Sequence, residues 1–459
     1  MNCSISINGE IERYLSLNRA SYLEGLKEFV SIPSVSAKGT GITECAEWLT
    51  GKMRELGIET EILPTAGSPA VYGELSKETS YKTLLVYGHY DVQPPDPVAL
   101  WKTDPFEPKV IDDHLYGRGT TDDKGNIWAV LMGLKTAVAV GDVKLNLKFL
   151  FEGEEEIGSP HLPDIVKAQA QRLSADYGLL CDRGIHESGR PQMYLGNKGI
   201  VKVELRVKEA KREVHSGHAP LIPNAAWELV WALNATKDRH DRILVEGFSA
   251  SANPPSEEDL KLLAMIPFDP ESFKQEYGIK KTLKDGSPQE MLAHLLFTPT
   301  ANISGMASGY YGEGSKTVIP NEAIAKMDFR LVDGQTSGEA KEKIARHFES
   351  LDLDGLSCEF LGSMEPSKTS PNAPSVKAAI ESAREAYGSE PVVWPLLDGS
   401  GPLALFTPCL KVPMFIVGLG APFSRANTHA PNENIGLNEF YKGISFMANY
   451  YHRLGKMRR

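Results

Sequence analysis

Leu84-Leu85-Val86-Tyr87-Gly88-His89-Tyr90-Asp91 is an apolar run that stops at a histidine and an aspartate. It reads as a buried strand whose C-terminal end delivers His89 and Asp91 to a sheet edge, the place where open α/β sheets bind ligands. Positions two apart share one side of a strand, so both side chains can face a common site. Taken alone, the pair favours a solvated turn over a metal-bound imidazole whose second nitrogen is held by a carboxylate. The segments downstream decide between these readings.

Those segments repeat the same ending. Leu145 to Phe151 is apolar and runs into Glu152-Gly153-Glu154-Glu155-Glu156; Tyr177 to Leu180 runs into Cys181-Asp182; Pro413 to Gly418 leads to a loop carrying His429. Between the first two runs lies Gly117-Arg118-Gly119-Thr120-Thr121-Asp122-Asp123-Lys124-Gly125, followed by a helical pattern from Asn126 to Val138. Four strand-like segments thus each lead to a His, Asp or Glu that can face one site. From Ala46 to Gly184, strand and helix patterns alternate, which predicts an α/β fold with a mainly parallel sheet flanked by helices.

The pattern then changes. Ile200 to Val207 and Ala323 to Val332 alternate apolar and polar residues, as antiparallel strands with one wet face do. Helical spacing over Asn224–Leu233 and Ser337–Leu351, and a last strand at Leu356–Leu361, complete a smaller α+β layer; a polar, proline-containing insertion occupies Asp238 to Thr300. The expected organisation is a catalytic domain in two pieces, residues 1–198 and 364–459, with a lid or dimerisation domain inserted at residues 199–363.

Composition bounds the function. At 459 residues the chain exceeds one ordinary core. A net charge of −11 argues against nucleic acid, which rewards a basic surface. No apolar run approaches the length of a membrane span. The five cysteines, Cys3, Cys45, Cys181, Cys358 and Cys409, are scattered, with no Cys-x-x-Cys, so neither a disulfide framework nor a thiolate zinc site is expected. The polar segment Met1–Tyr14 has no apolar signal core, which makes the cytoplasm the expected location.

The set His89-Tyr90-Asp91-Val92, Gly117 to Gly125 and Glu152 to Glu156 resembles the co-catalytic metallopeptidases: carnosinase, cytosolic non-specific dipeptidase, glutamate carboxypeptidase, aminoacylase and succinyl-diaminopimelate desuccinylase. Lys316-Thr317-Val318-Ile319-Pro320 and the segment holding Phe273, Tyr277 and Gly278 point to the dipeptidase branch. The resemblance implies two divalent ions per subunit, bridged by Asp122, with His89 and Asp182 on one and Glu156 and His429 on the other. Two such ions about 3.5–4 Å apart polarise a carbonyl and activate a water. Zinc comes first for these thiolate-free ligands, then manganese or cobalt.

The same resemblance makes Glu155 the general base and Asp91 the group that orients His89. It also implies a cis peptide between Asp122 and Asp123. His215 becomes an oxyanion donor reaching across a homodimer interface in the inserted domain, and Arg330 the grip on a substrate C-terminal carboxylate, with Thr317, Gly399 and Ser400 as further contacts. Two departures stand out: Lys198 occupies a place where several relatives carry arginine, and the loop Leu396 to Ser400 offers Asp398 instead of an arginine-glutamate pair. The expected activity is hydrolysis of dipeptides or short peptides with a free C-terminal carboxylate. An N-acyl amino acid amidohydrolase is the alternative that the same metal ligands allow. A non-catalytic metal-binding scaffold is the remote alternative, and it does not fit the presence of both Asp122 and Glu155.

Overall fold

The computed structural model describes residues 6–457; Cys3 and the first residues of the polar leader Met1–Tyr14 lie outside them. Two compact units divide the chain. The first comprises Met1–Gly196, Lys368–Trp394 and Leu405–Arg459, and the second Asn197–Ser367 and Pro395–Ala404. The segment Pro395–Ala404, which the sequence pattern assigns to the closing catalytic piece, thus counts with the second unit: the backbone N–H of Lys198 donates to the carbonyls of Leu397 and Gly399.

The first unit is built on an eight-stranded sheet in the order Glu59–Leu63, Ala70–Leu75, Leu145–Glu152, Lys82–His89, Tyr177–Leu180, Met414–Val417, Gln192–Tyr194, Val392–Trp394. Its centre is parallel, running from Leu145–Glu152 through Lys82–His89 and Tyr177–Leu180 to Met414–Val417, while the first two strands join antiparallel. Helices cover it: Lys124–Val140 packs on Leu437–Gly455, and Ile7–Val30 packs on both. Burial on two faces explains the unbroken apolar runs, since every residue of Thr83–His89 is buried. The register His89↔Glu152 aligns the strand ends, so their loops open at one edge.

The second unit carries a four-stranded antiparallel sheet in the order Thr300–Ser308, Glu322–Leu331, Gly199–Lys208, Leu356–Met364. Alternate residues of the central strands, among them Val201, Val203, Leu205, Met327, Phe329 and Leu331, form its core with Leu229, Ile344 and Phe348 from the helices. Thr300–Ser308 is a strand that the sequence pattern did not mark. Most of its residues are exposed, so it lacks the alternation that betrays a half-buried strand.

Candidate active site

The sheet edge of the first unit gathers the carboxylates and imidazoles. Asp122 follows the loop after Tyr116, and its peptide bond to Asp123 is cis, the geometry that the resemblance implies. Its Oδ1 lies 3.1 Å from His89 Nε2 and its Oδ2 lies 3.0 Å from His429 Nε2. Asp182 Oδ1 stands 3.8 Å from His89 Nε2, and Glu156 Oε2 stands 3.1 Å from His429 Nε2. Two groups able to hold a metal ion result, His89–Asp122–Asp182 and Asp122–Glu156–His429, sharing Asp122.

The chemistry of these contacts fits a cation. His89 Nδ1 donates to the carbonyl of Asp91 at 3.1 Å, which leaves Nε2 as the outward nitrogen. Nε2 of each ring then faces only carboxylate oxygens, a contact that requires a proton on the nitrogen or a metal ion between the partners. Burial disfavours a charged His89, yet its hydrogen bonds with Asp122, Asp182 and Asp91 outweigh that and hold the ring well above the usual imidazole range. The bonds of His429 to Asp122 and Glu156 lift it to about 10. Burial pushes Asp122 up, but both histidines outweigh it and hold the carboxyl well below its ordinary value.

The three consecutive glutamates do three different things. Glu154 turns away, accepting from Ser68 N–H and bonding His161 Nδ1, both at 2.7 Å. Glu156 faces His429. Glu155 lies between: burial first, then the charges of Asp182, Glu156 and Asp122 against the pull of His89, push its carboxyl up to about 8. Gly153 is needed before them, because a Cβ there would stand 2.6 Å from Tyr90 Oη.

Asp91 sits differently from the simple orienter. Its Oδ1 is 3.3 Å from His89 Nδ1, but its two carboxylate oxygens also accept the backbone N–H groups of Glu155 and Glu156 at 3.2 and 3.1 Å. One buried carboxylate therefore links His89 to the turn that carries Glu155.

Glu433 escaped sequence reasoning. It is fully buried and accepts from Arg118 Nη1 at 2.7 Å and from the backbone N–H groups of Gly119, Thr121 and Asp122 at 2.9–3.0 Å. It thereby fixes the Asp122 loop to the His429 loop. The one signal in the sequence is Arg118, a cation inside a glycine-rich loop that calls for a buried anion.

The other expected residues lie in the second unit. Strand Val214–His215 pairs with Val318–Ile319, and Ser216 N–H donates to the carbonyl of Thr317, so His215 and Thr317 are neighbours. His215 Nδ1 accepts from Gly217 N–H at 3.0 Å, which leaves the neutral ring with its proton on Nε2. Arg330 rises from the wet face of its strand and donates to Ser400 Oγ at 2.8 Å, beside Gly399.

Comparison with known proteins follows the same line. The family model described as Peptidase family M20/M25/M40 matches residues 85–453. The Beta-Ala-His dipeptidase of Rattus norvegicus is 27% identical over 98% of this chain and 96% of its own length. The Cys-Gly metallodipeptidase of Schizosaccharomyces pombe is 28% identical over 95% of this chain and 96% of its own. Among solved structures, an M20 family metallo-carboxypeptidase from Sulfolobus solfataricus superposes with a TM-score of 0.86 at 36% identity, covering 95% of this chain and 99% of that one.

Proposed function

The chain belongs to peptidase family M20/M25/M40, and from that premise we propose a metal-dependent dipeptidase that cuts dipeptides or very short peptides with a free C-terminal carboxylate. One observation carries the reading: Asp122 divides its two oxygens between His89 and His429, and the charges of His89, Asp182, Glu156 and Asp122 all act on Glu155. His89, Asp122 and Asp182 would hold one divalent ion, and Asp122, Glu156 and His429 a second, with zinc first and manganese or cobalt next. When bound, such ions polarise the scissile carbonyl and acidify water.

The residues divide the remaining work. Glu155 takes the proton of the attacking water on its carboxylate and returns it to the leaving amine. Asp91 holds the His89 ring with Nε2 outward. Arg330, backed by Ser400 and Gly399, grips the substrate carboxylate, and Thr317 contributes a further polar contact. His215 Nε2–H donates to the carbonyl oxygen as negative charge develops there.

His215 serves the site of a second copy, joined through the inserted domain. Support comes from an exposed apolar face on the second unit: Trp227 and Trp231 stack with centroids 6.3 Å apart at 58% and 53% exposure, with Tyr311 and Met306 also exposed. The strand Thr300–Ser308 is an unprotected sheet edge in the same unit. Among the described residues, no helix is long and apolar enough to cross a membrane. Cys45, Cys181, Cys358 and Cys409 are free thiols, as a reducing cytoplasm keeps them.

The test is turnover of the metal-reconstituted protein on unmodified dipeptides set against N-acetyl and N-succinyl amino acids, with zinc, manganese and cobalt in parallel. Dipeptides are expected to be cleaved and to lose cleavage when C-terminally amidated. Turnover of the N-acyl amino acids alone would replace this reading with an amidohydrolase.

A further inference from the structure

The turn that carries Glu155 is pinned at two ends. At its start, Asp91 accepts the N–H groups of Glu155 and Glu156. At its close, Gly158 N–H donates to the Glu155 carbonyl and Ser159 N–H to the Glu154 carbonyl, both at 2.8 Å. Ser159 makes this closure with φ of +52°, a conformation that non-glycine residues seldom adopt. Its hydroxyl then points back into the sheet and donates to Glu152 Oε1 at 2.8 Å.

Glu152 is a carboxylate that the proposed reaction does not use, and it is 3% exposed. It ends the strand beside His89, in register with it. Its other partner on Oε1 is the hydroxyl of Tyr87, which is fully buried two residues before His89. Burying a carboxyl against a sheet core is costly unless hydrogen bonds compensate it. Here it supplies the one acceptor on which the strand of His89, through Tyr87, and the turn of Glu155, through Ser159, both rest.

We propose that Glu152, Tyr87 and Ser159 form a buried brace that sets the position of Glu155 against the metal ligands, with Glu152 and Ser159 as positioning residues for the base. The inference rests on Glu155 acting as the base. It requires only an acceptor at Glu152, so a glutamine, whose Oε1 accepts from both hydroxyls, preserves the brace, and a leucine of similar size does not. At Ser159, glycine keeps the left-handed backbone and removes the side chain that carries the hydroxyl.

The experiment compares S159G, E152L, E152Q and E155A on a cleaved dipeptide, with metal content measured for each. A misplaced base costs kcat, and displacements of this kind reach about a hundredfold. Ser159→Gly and Glu152→Leu are therefore expected to lower kcat by roughly ten- to a hundredfold, with KM and bound metal unchanged. Glu152→Gln should recover most of kcat. Wild-type kcat in S159G overturns the brace, as does loss of metal in S159G, or a Glu152→Gln no better than Glu152→Leu. If E152L fails to fold, S159G and E152Q still decide. An active E155A variant would instead sink the base assignment itself, whatever the brace variants do.

Discussion

The two largest sheets of this molecule handle their polar residues in opposite ways. In the first unit the central strands are parallel and apolar on both faces, so polar chemistry is expelled to the strand ends, where His89, Asp182 and the Glu155 turn collect at one edge. In the second unit the strands are antiparallel and wet on one face, and polar residues alternate along their length. Arg330 stands on that face, while the Thr300–Ser308 edge stays open. A buried sheet concentrates reactive groups and holds them rigid; a half-wet sheet distributes contacts and leaves surface for partners. The first is suited to catalysis and the second to recognition and assembly.

The contrast can be broken in graded steps. Glu155→Ala should leave metal content intact in a dialysed sample and lower turnover by roughly 10³-fold or more, the upper part of what a general base contributes. Substantial residual activity would mean that the edge of the first sheet is not where the proton moves. Glu433→Leu removes the anion that balances the buried Arg118, and breaking such a pair costs about 3–5 kcal/mol. Denaturant unfolding should show that loss, and calorimetry should show weakened metal binding because the Asp122 loop is released.

A core change in the second unit sharpens the division from the other side. Leu205→Ala opens a cavity under the half-wet sheet and should cost about 2–4 kcal/mol. Metal stoichiometry should hold, since every proposed ligand belongs to the first unit; loss of metal would show that the units are not independent in this respect. Smaller still is an effect of pH on the metal-free protein. The folded-state values of His89 and His429 are raised, the latter to about 10. Each contribution to stability is complete below the ordinary imidazole value; that of His429 is lost as pH rises through about 10, and that of His89 as pH rises through its own raised value. The metal-free protein should therefore melt lower at high pH than near neutrality, and saturating zinc should flatten the difference, because the ion replaces the protons. A metal-free melting temperature that climbs with pH would contradict the sign. Last, Trp227→Ser with Trp231→Ser should abolish the proposed dimer in sedimentation while changing the stability of each subunit by no more than about 0.5 kcal/mol.

The same contrast explains what could be read from the residues alone. Parallel strands buried on two faces announce themselves as runs such as Leu84–Tyr87 and Leu147–Phe151, and their ends point to the ligands directly. Val201, Val203 and Leu205 betray the antiparallel sheet through period-two alternation. Thr300–Ser308 has neither signal, because Asn302 to Ala307 along its middle are all exposed. Glu433 was invisible for a different reason: a carboxylate in a Pro-Asn-Glu loop looks solvated until the backbone N–H groups that surround it are in place. Asp91 was legible as a partner of His89. Its grip on Glu155 and Glu156 depends on a turn that no periodicity describes.

The Glu433 contact also carries a consequence for biosynthesis. Asp122 is held by a carboxylate 311 residues further along the chain, and His429 arrives with that same late segment. A ribosome therefore finishes the sheet, the strand-end loops of His89, Glu155 and Asp182, and the whole inserted unit before the Asp122 loop acquires its anchor. The emerging polypeptide has no complete pair of metal groups for most of its synthesis. Metal loading follows translation of the segment that carries His429 and Glu433, and hydrolytic competence waits on it.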